Sequence, residues 1–583
     1  MDRKNVIRLS LFALMCVTHL FAQEKVVKLK IVQTSDIHGH YYPCDFVTGR
    51  DMGGGLSRIS SFTSKLRQEY GDKFLFLENG DILQGQPTSY YYNYIDTLST
   101  HVAALMMNYM GYDVGNVGNH DIETGHAVFD RWAGECHAPI LGANVINTVT
   151  GKTYFKPYQV FIRDGVKIVV LGMITPAIPA WLSENLWSGM RFDDMEETAR
   201  RWMKVIREDE NPDVIIGLFH AGQDGSILGG KYRENPSLEV ARNVPGFDVV
   251  LIGHDHIADC KKVMNVMGDS VLIADPANDG MVVSDVDITI HIVNGKVVRK
   301  QIDGKLSDMC KYPIDEKFMA TFTPQYNAIK YFVSKKMGTF TQDISTRSAY
   351  FGSSGFMGLI HTVQLQVANA EISLAAPLSF DAKISKGDIS VSDMFNLYKY
   401  ENTLYAMELT GKEVKGILEQ SYAIWTNRMK SPKDRFLLMR DTPWEGAETR
   451  ALFVNSYFNF DSAAGIVYTV DVSKPQGEKI HIISMADGSP FLMDKKYRVA
   501  VCSYRGNGGG GLITEGADIP QDSLKSRIVF ATDKDMRYYL MRYIESKKEI
   551  TPYTIERWKF IPEDWVKHAA KRDYDYLFGK TEK

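Results

Sequence analysis

The sequence predicts an α/β protein in two parts, an alternating α/β block followed by a smaller α+β block. Three observations carry this expectation. Short apolar runs alternate with longer amphipathic stretches between residues 28 and about 300. The texture changes after about residue 339, where Ser- and Gly-bearing turns separate β-rich runs. Finally, 583 residues exceed what one hydrophobic core holds.

Residues 1–22 read as a secretory signal peptide, with Arg3, Lys4 and Arg8 before an apolar stretch that closes at Ala22. Export to the periplasm or the exterior follows. The stretch is shorter than the ~20 apolar residues of a membrane span, so no integral span is expected. Met15 precedes Cys16 where a lipid-anchored protein carries a small residue, which argues against lipidation at Cys16. The runs 29–34, 74–77, 112–117, 167–174, 213–219 and 248–252 read as buried strands, and 56–70 and 96–110 as helices, within a first domain of residues 26–314. Residues 315–338 read as a helical connector about which the second domain, 339–565, rotates to close a cleft. In that domain 451–460 and 465–472 read as strands, and 566–583 as a tail. A net charge of −4 supplies no basic stripe, which excludes long nucleic acid as a partner. Beyond the leader, Cys44, Cys136, Cys260, Cys310 and Cys502 are odd in number and scattered, so they form no disulfide framework and no thiolate metal site, though one bridge is possible.

Chemistry concentrates where the apolar runs end. Asp36-Ile37-His38, Gly80-Asp81, Gly118-Asn119-His120-Asp121, His220 and Gly253-His254-Asp255-His256 each follow one. In an α/β sheet those positions are strand-end loops, the usual ligand-binding edge. Carboxylate, imidazole and amide groups converging there are what two divalent cations about 3.5–4 Å apart require. An isolated H-x-H says little; the ordered set says much more.

In this order the motifs D-x-H, G-D, G-N-H-D, a lone His and G-H-x-H resemble the calcineurin-like metallophosphoesterases. More narrowly the chain is similar to the bacterial 5′-nucleotidase and 2′,3′-cyclic-nucleotide 2′-phosphodiesterase family. The resemblance implies a four-layer α/β sandwich followed by a smaller α+β substrate-binding domain. It implies two divalent ions, with Zn, Mn, Co and Fe all compatible with mixed N and O ligands. Asp36, His38 and His256 would hold one ion and Asn119, His220 and His254 the other, with Asp81 bridging. The ions would activate a bridging water for attack on phosphorus. His120 would face the phosphate rather than bind metal, with Glu123 standing where the family has an orienting Asp; Asp121 completes the catalytic candidates.

The second block resembles the family's base-binding domain in two stretches. In one, Tyr504 precedes a turn containing Gly508 and Gly509; in the other, Tyr398, Tyr400 and Asn402 fall in an L-Y-x-Y-x-N-T-L segment. Tyr504 and Tyr400 would sandwich a nucleobase. Residues 369–380 contain neither Arg nor the glycine triplet of the 5′-nucleotidase G-G-G-I-R segment, which turns the expectation toward 2′,3′-cyclic and 3′-nucleotides. A 5′-nucleotidase is the alternative enzyme, and an inactive nucleotide-binding scaffold the alternative of another class.

Overall fold

A computed structural model describes residues 24–225, 227–228, 231–442 and 449–579. The leader expected at 1–22, and Cys16 with it, lies outside them. Two six-stranded sheets carry the first part. Its strands are β1 (Glu24–Thr34), β2 (Phe74–Glu78), β3 (Val114–Asn116), β4 (Ile140–Leu141), β5 (Tyr158–Arg163), β6 (Val166–Ile174), β7 (Val214–His220), β8 (Val249–Ile252), β9 (Asp259–Met264), β10 (Ser270–Asp275), β11 (Val282–Val293) and β12 (Lys296–Asp308). One sheet runs β12-β11-β1-β2-β3-β4, the other β9-β10-β8-β7-β6-β5.

The central strands are apolar on both faces because each face has its own core. Leu75, Leu77, Ile168, Val170, Ile216, Leu218, Val249 and Leu251 fill the space between the sheets. Their sequence neighbours point the other way: Phe74 and Phe76 meet the helix Leu56–Tyr70, while Val169, Leu171, Val250 and Ile252 meet the helices Met195–Asp209 and Ser237–Asn243. Helix, sheet, sheet and helix make the four expected layers. A one-residue slip in any central strand would exchange its two seams, so the pattern also fixes register. The helix expected over 96–110 begins only at Val102, because His101 caps it by accepting the Ala103 N–H and residues 91–95 form a separate turn.

Buried side-chain amides stitch the two sheets at one edge. Gln33 donates to the Ile252 carbonyl at 2.7 Å, Asn79 to Phe219 at 3.0 Å, and Asn116 to Met173 and Leu218 at 2.8 and 3.1 Å. All three residues are fully buried, so these bonds satisfy groups that water cannot reach. The result brings the carboxyl ends of β1, β2 and β3 against those of β6, β7 and β8.

The helices Glu316–Thr321 and Thr323–Ser334 lead into the second body. It is entered at the strand Lys336–Phe340, slightly before residue 339, because that strand pairs with Gly387–Ser390 and Glu549–Ile550. Its main sheet orders Ser462–Ala464, Ile372–Ala375, Lys496–Cys502, Thr403–Thr410 and Ile528–Asp535. Residues 451–460, expected as a strand, hold the 3-10 turns Thr449–Leu452 and Tyr457–Asn459. Phe453, Tyr457 and Phe460 are spaced four and three apart and bury together, which suits turns and not a pleat. The expected tail is also corrected: the helix Glu563–Phe578 buries Val566, Ala569 and Leu577 in the second core, and Asp573 accepts the Phe436 and Leu437 N–H groups. The five cysteines named above are free. Among the described residues no helix is long and apolar enough to cross a membrane.

Two core histidines make stability pH-dependent. Burial lowers His101 and His361 each to about 3. Both stay neutral in the folded protein, whereas in the unfolded chain they bind protons below about 6.5. Their contribution is therefore complete above about pH 6.5 and lost as pH falls toward 3, by up to ~1.4 kcal/mol per pH unit for each. Urea titrations at pH 4.5 and 6.5 should show a smaller difference for His361→Gln than for the parent; an equal difference refutes the assignment.

Candidate active site

The expected ligand residues meet at the stitched edge. Asp36 and His38 follow β1, Asp81 follows β2, Asn119 and His120 open the short helix after β3, His220 ends β7, and His254 and His256 follow β8. Ligand atoms of Asp36, His38 and His256 lie within 4.8 Å of one another, as do those of Asp81, His220 and His254. Asn119 joins the second group through Oδ1, 3.1 Å from His220 Nε2.

Backbone geometry shows what convergence costs. Asp36, His38, Asp81, His254 and His256 all have φ between 48° and 83°, a region that L side chains rarely occupy and that costs on the order of 1–3 kcal/mol each. Glycines permit the closest approaches. A Cβ on Gly118 would stand 2.2 Å from Asp81 Oδ1, and one on Gly253 2.0 Å from Ser35 Oγ. His120 N–H donates to Asp81 Oδ1 at 2.7 Å, and His254 N–H to Asp36 Oδ2 at 3.0 Å.

The donor set fits divalent cations. His220 Nδ1 is bonded to the Asn79 carbonyl at 2.6 Å and His38 Nδ1 to that of Gln84 at 3.1 Å, which turns both Nε2 atoms into the cluster. Asp36 Oδ1 is buried without a hydrogen-bond partner, a costly state for a carboxylate oxygen unless positive charge faces it. The electrostatics say the same. Burial disfavours charge on His220, yet the Asp81 and Asp36 carboxylates outweigh it and lift the imidazole to about 10. Burial dominates at His38 and holds it down at about 4, neutral and free to donate a lone pair.

His120 differs from the others. It belongs to neither triplet, and its Nδ1 lies 2.5 Å from Glu123 Oε2. Burial opposes its protonation, but the Asp81 and Glu123 carboxylates raise it to about 9 in the absence of cations. Asp121 requires a correction as a catalytic candidate: fully buried, it accepts the N–H groups of Asp81, Ile82, Leu83 and Gly118 at 2.8–3.0 Å. It positions the Asp81 loop.

Tyr504 belongs to the second body, in the short helix Ser503–Gly506. Gly509 lets the Tyr504 ring lie on the backbone, since a Cβ there would stand 2.5 Å from the ring; Gly508, at φ 102°, turns the chain. The buried Arg505 guanidinium grips Asp461 at two 2.9 Å bonds and also Asn459, tying the glycine turn to the Tyr457–Asn459 turn. Phe458 of that turn stands edge-on to both Tyr504 and Tyr400, at 6.3 and 6.2 Å. Phe458 escapes sequence reasoning because its run reads as a strand. Tyr398 is a second correction: it is a core residue, 2% exposed, with its carbonyl bonded by Arg537. Asn402 is likewise buried, and its carbonyl accepts the Met536 N–H.

Contacts between the bodies hold this arrangement. Asn507 Nδ2 donates to the Trp181 carbonyl at 3.0 Å, and the Trp181 ring lies 5.6 Å from that of His254. Tyr94 donates to Glu401 at 3.0 Å, and Glu184 pairs with Lys525.

The sequence matches family models in both parts. The calcineurin-like phosphoesterase model covers residues 29–258 and the 5′-nucleotidase C-terminal domain model residues 334–515. The trifunctional nucleotide phosphoesterase protein YfkN of Bacillus subtilis (strain 168) is 25% identical over 92% of this chain, which spans only 39% of that longer protein. A 2′,3′-cyclic-nucleotide 2′-phosphodiesterase/3′-nucleotidase of Yersinia enterocolitica is 25% identical over 95% of this chain and 92% of its own. A 5′-nucleotidase precursor from Thermus thermophilus shares the fold, with a TM-score of 0.63 at 21% identity over 92% of this chain and 100% of that one. The chain is thus a phosphoester-hydrolysing enzyme, a member of the calcineurin-like metallophosphoesterases that carry a 5′-nucleotidase C-terminal domain.

Proposed function

We propose that the protein is an exported dimetal phosphoesterase that acts on nucleotides, with 2′,3′-cyclic nucleotides and 3′-nucleotides preferred over 5′-nucleotides. What supports this reading is the pair of ligand triplets at one sheet edge, with the second body joined beside them through Asn507 and Trp181, whose ring lies 5.6 Å from that of His254. In this reading a base held beside Tyr504 would bring its phosphate to the cluster.

In this reading Asp36, His38 and His256 hold one cation and Asn119, His220 and His254 the other, with Asp81 between them. When bound, such cations acidify water and withdraw charge from phosphoryl oxygens. The chain's own residues do the rest. Glu123 fixes the His120 ring through Nδ1, leaving Nε2 for the phosphoryl group, where the cationic ring offsets charge on the departing oxygen. Asp121 keeps the Asp81 loop in place, and the docked second body excludes bulk water. Residues 369–380, with no Arg to grip a 5′-phosphate, favour the cyclic and 3′ substrates.

The test is metal analysis of purified protein combined with turnover of 2′,3′-cyclic AMP, 3′-AMP and 5′-AMP. The expected result is about two ions per chain and at least tenfold higher kcat/KM for the first two substrates. The reverse order would make the protein a 5′-nucleotidase, and nucleotide binding without phosphate release an inactive scaffold.

A further inference from the structure

We propose that Glu234 is the residue that recognises the ribose, its carboxylate accepting hydrogen bonds from the sugar hydroxyls. This rests on the nucleotide reading above. In a nucleotide the sugar lies between base and phosphate, so a residue that reads it must face both the metal cluster and the aromatic platform. Glu234 does. Its Oε1 lies 3.2 Å from His254 Nε2, and its side chain keeps 24% of its surface open. Toward the other side, burial lifts the Tyr504 phenol to about 12, Arg505 pulls it back, and Glu234 adds to the lift, which puts the carboxylate in electrostatic reach of that ring.

The glycine turn leaves this task to another part of the chain. Residues 508–511 are all glycine and offer a ligand backbone groups alone. A side chain at Gly510 would meet Asn459 Oδ1 at 2.2 Å and Arg505 at 2.6 Å, so the turn is closed to an acidic residue there. That leaves the place open to an acceptor from the first body.

Glu234 is also held as a recognition group should be. Its carbonyl accepts from Thr175 Oγ1 at 2.7 Å, and Thr175 N–H in turn donates to the His220 carbonyl at 2.8 Å. The next residue, Asn235, accepts the Gly222 N–H at 3.0 Å. The carboxylate thus hangs from the same frame that positions His220, which keeps its place relative to the cluster fixed. The rival role is an added ligand for the cation at His254. Glu234 stands outside the compact triplet of Asp81, His220 and His254, which favours recognition.

The experiment compares the parent with Glu234→Gln and Glu234→Ala in metal content, in nucleoside affinity by calorimetry, and in turnover of a nucleotide against p-nitrophenyl phosphate, which has no sugar. A hydrogen bond to a charged group implies about 10–100-fold discrimination. The parent should bind adenosine more tightly than 2′,3′-dideoxyadenosine by that factor, and Glu234→Ala should bind the two alike. Its kcat/KM should fall on the nucleotide, mainly through KM, with p-nitrophenyl phosphate turnover and two ions per chain retained. Loss of one ion, or equal losses on both phosphate esters, would overturn the proposal in favour of a ligand role. A parent equally fast on both esters would overturn the nucleotide reading itself, before any variant is compared.

Discussion

Asp81→Asn should reduce bound metal below two ions per chain and lower turnover on the order of 10³-fold or more, the loss expected when a bridging carboxylate charge leaves a dimetal centre. The substitution is nearly isosteric. An amide oxygen at this position still accepts the His120 N–H, and Asp121 still holds the backbone of residues 81–83, so the fold persists. What disappears is the negative charge that, with Asp36, holds His220 positive in the absence of cations. Elemental analysis alongside kinetics checks both parts. A variant with two ions and parental turnover would show that Asp81 bridges nothing.

His120→Ala should behave in the opposite way toward metal. It should keep both ions and lose about 10²–10³-fold in kcat, the cost of removing one preorganised donor from developing charge. His120 lies outside both triplets and is aimed by Glu123, so its removal takes away no ligand. Glu123→Gln should cost less, because the ring remains while its orientation and charge weaken. Loss of metal in His120→Ala would place the ring in the coordination sphere and refute the division of labour drawn here.

The residues of the two candidate ion-holding groups were legible in the sequence because each follows a run of buried strand, and a strand's end fixes where the next two or three side chains go. Asp36, Asp81, His220 and His254 share that logic. Their convergence needed the structure, since the amides Gln33, Asn79 and Asn116 that join the sheets leave no periodic signal. The second body was less legible. Tyr398 and Tyr400 are two residues apart and similar in type, yet one is core and the other lies beside Phe458, a difference set by how Arg537 and the helix Met536–Lys547 pack behind them. Glu234 follows no apolar run at all, so nothing in the spacing marks it.

The left-handed backbone at Asp36, His38, Asp81, His254 and His256 bears on how this sequence is maintained. At every one of these five positions glycine would relax the main chain, so a lineage with no use for cations would gain stability by drifting toward it. This chain carries Asp or His at all five. Backbone strain of this kind persists only where the surrounding structure over-determines it, and it clusters at functional sites.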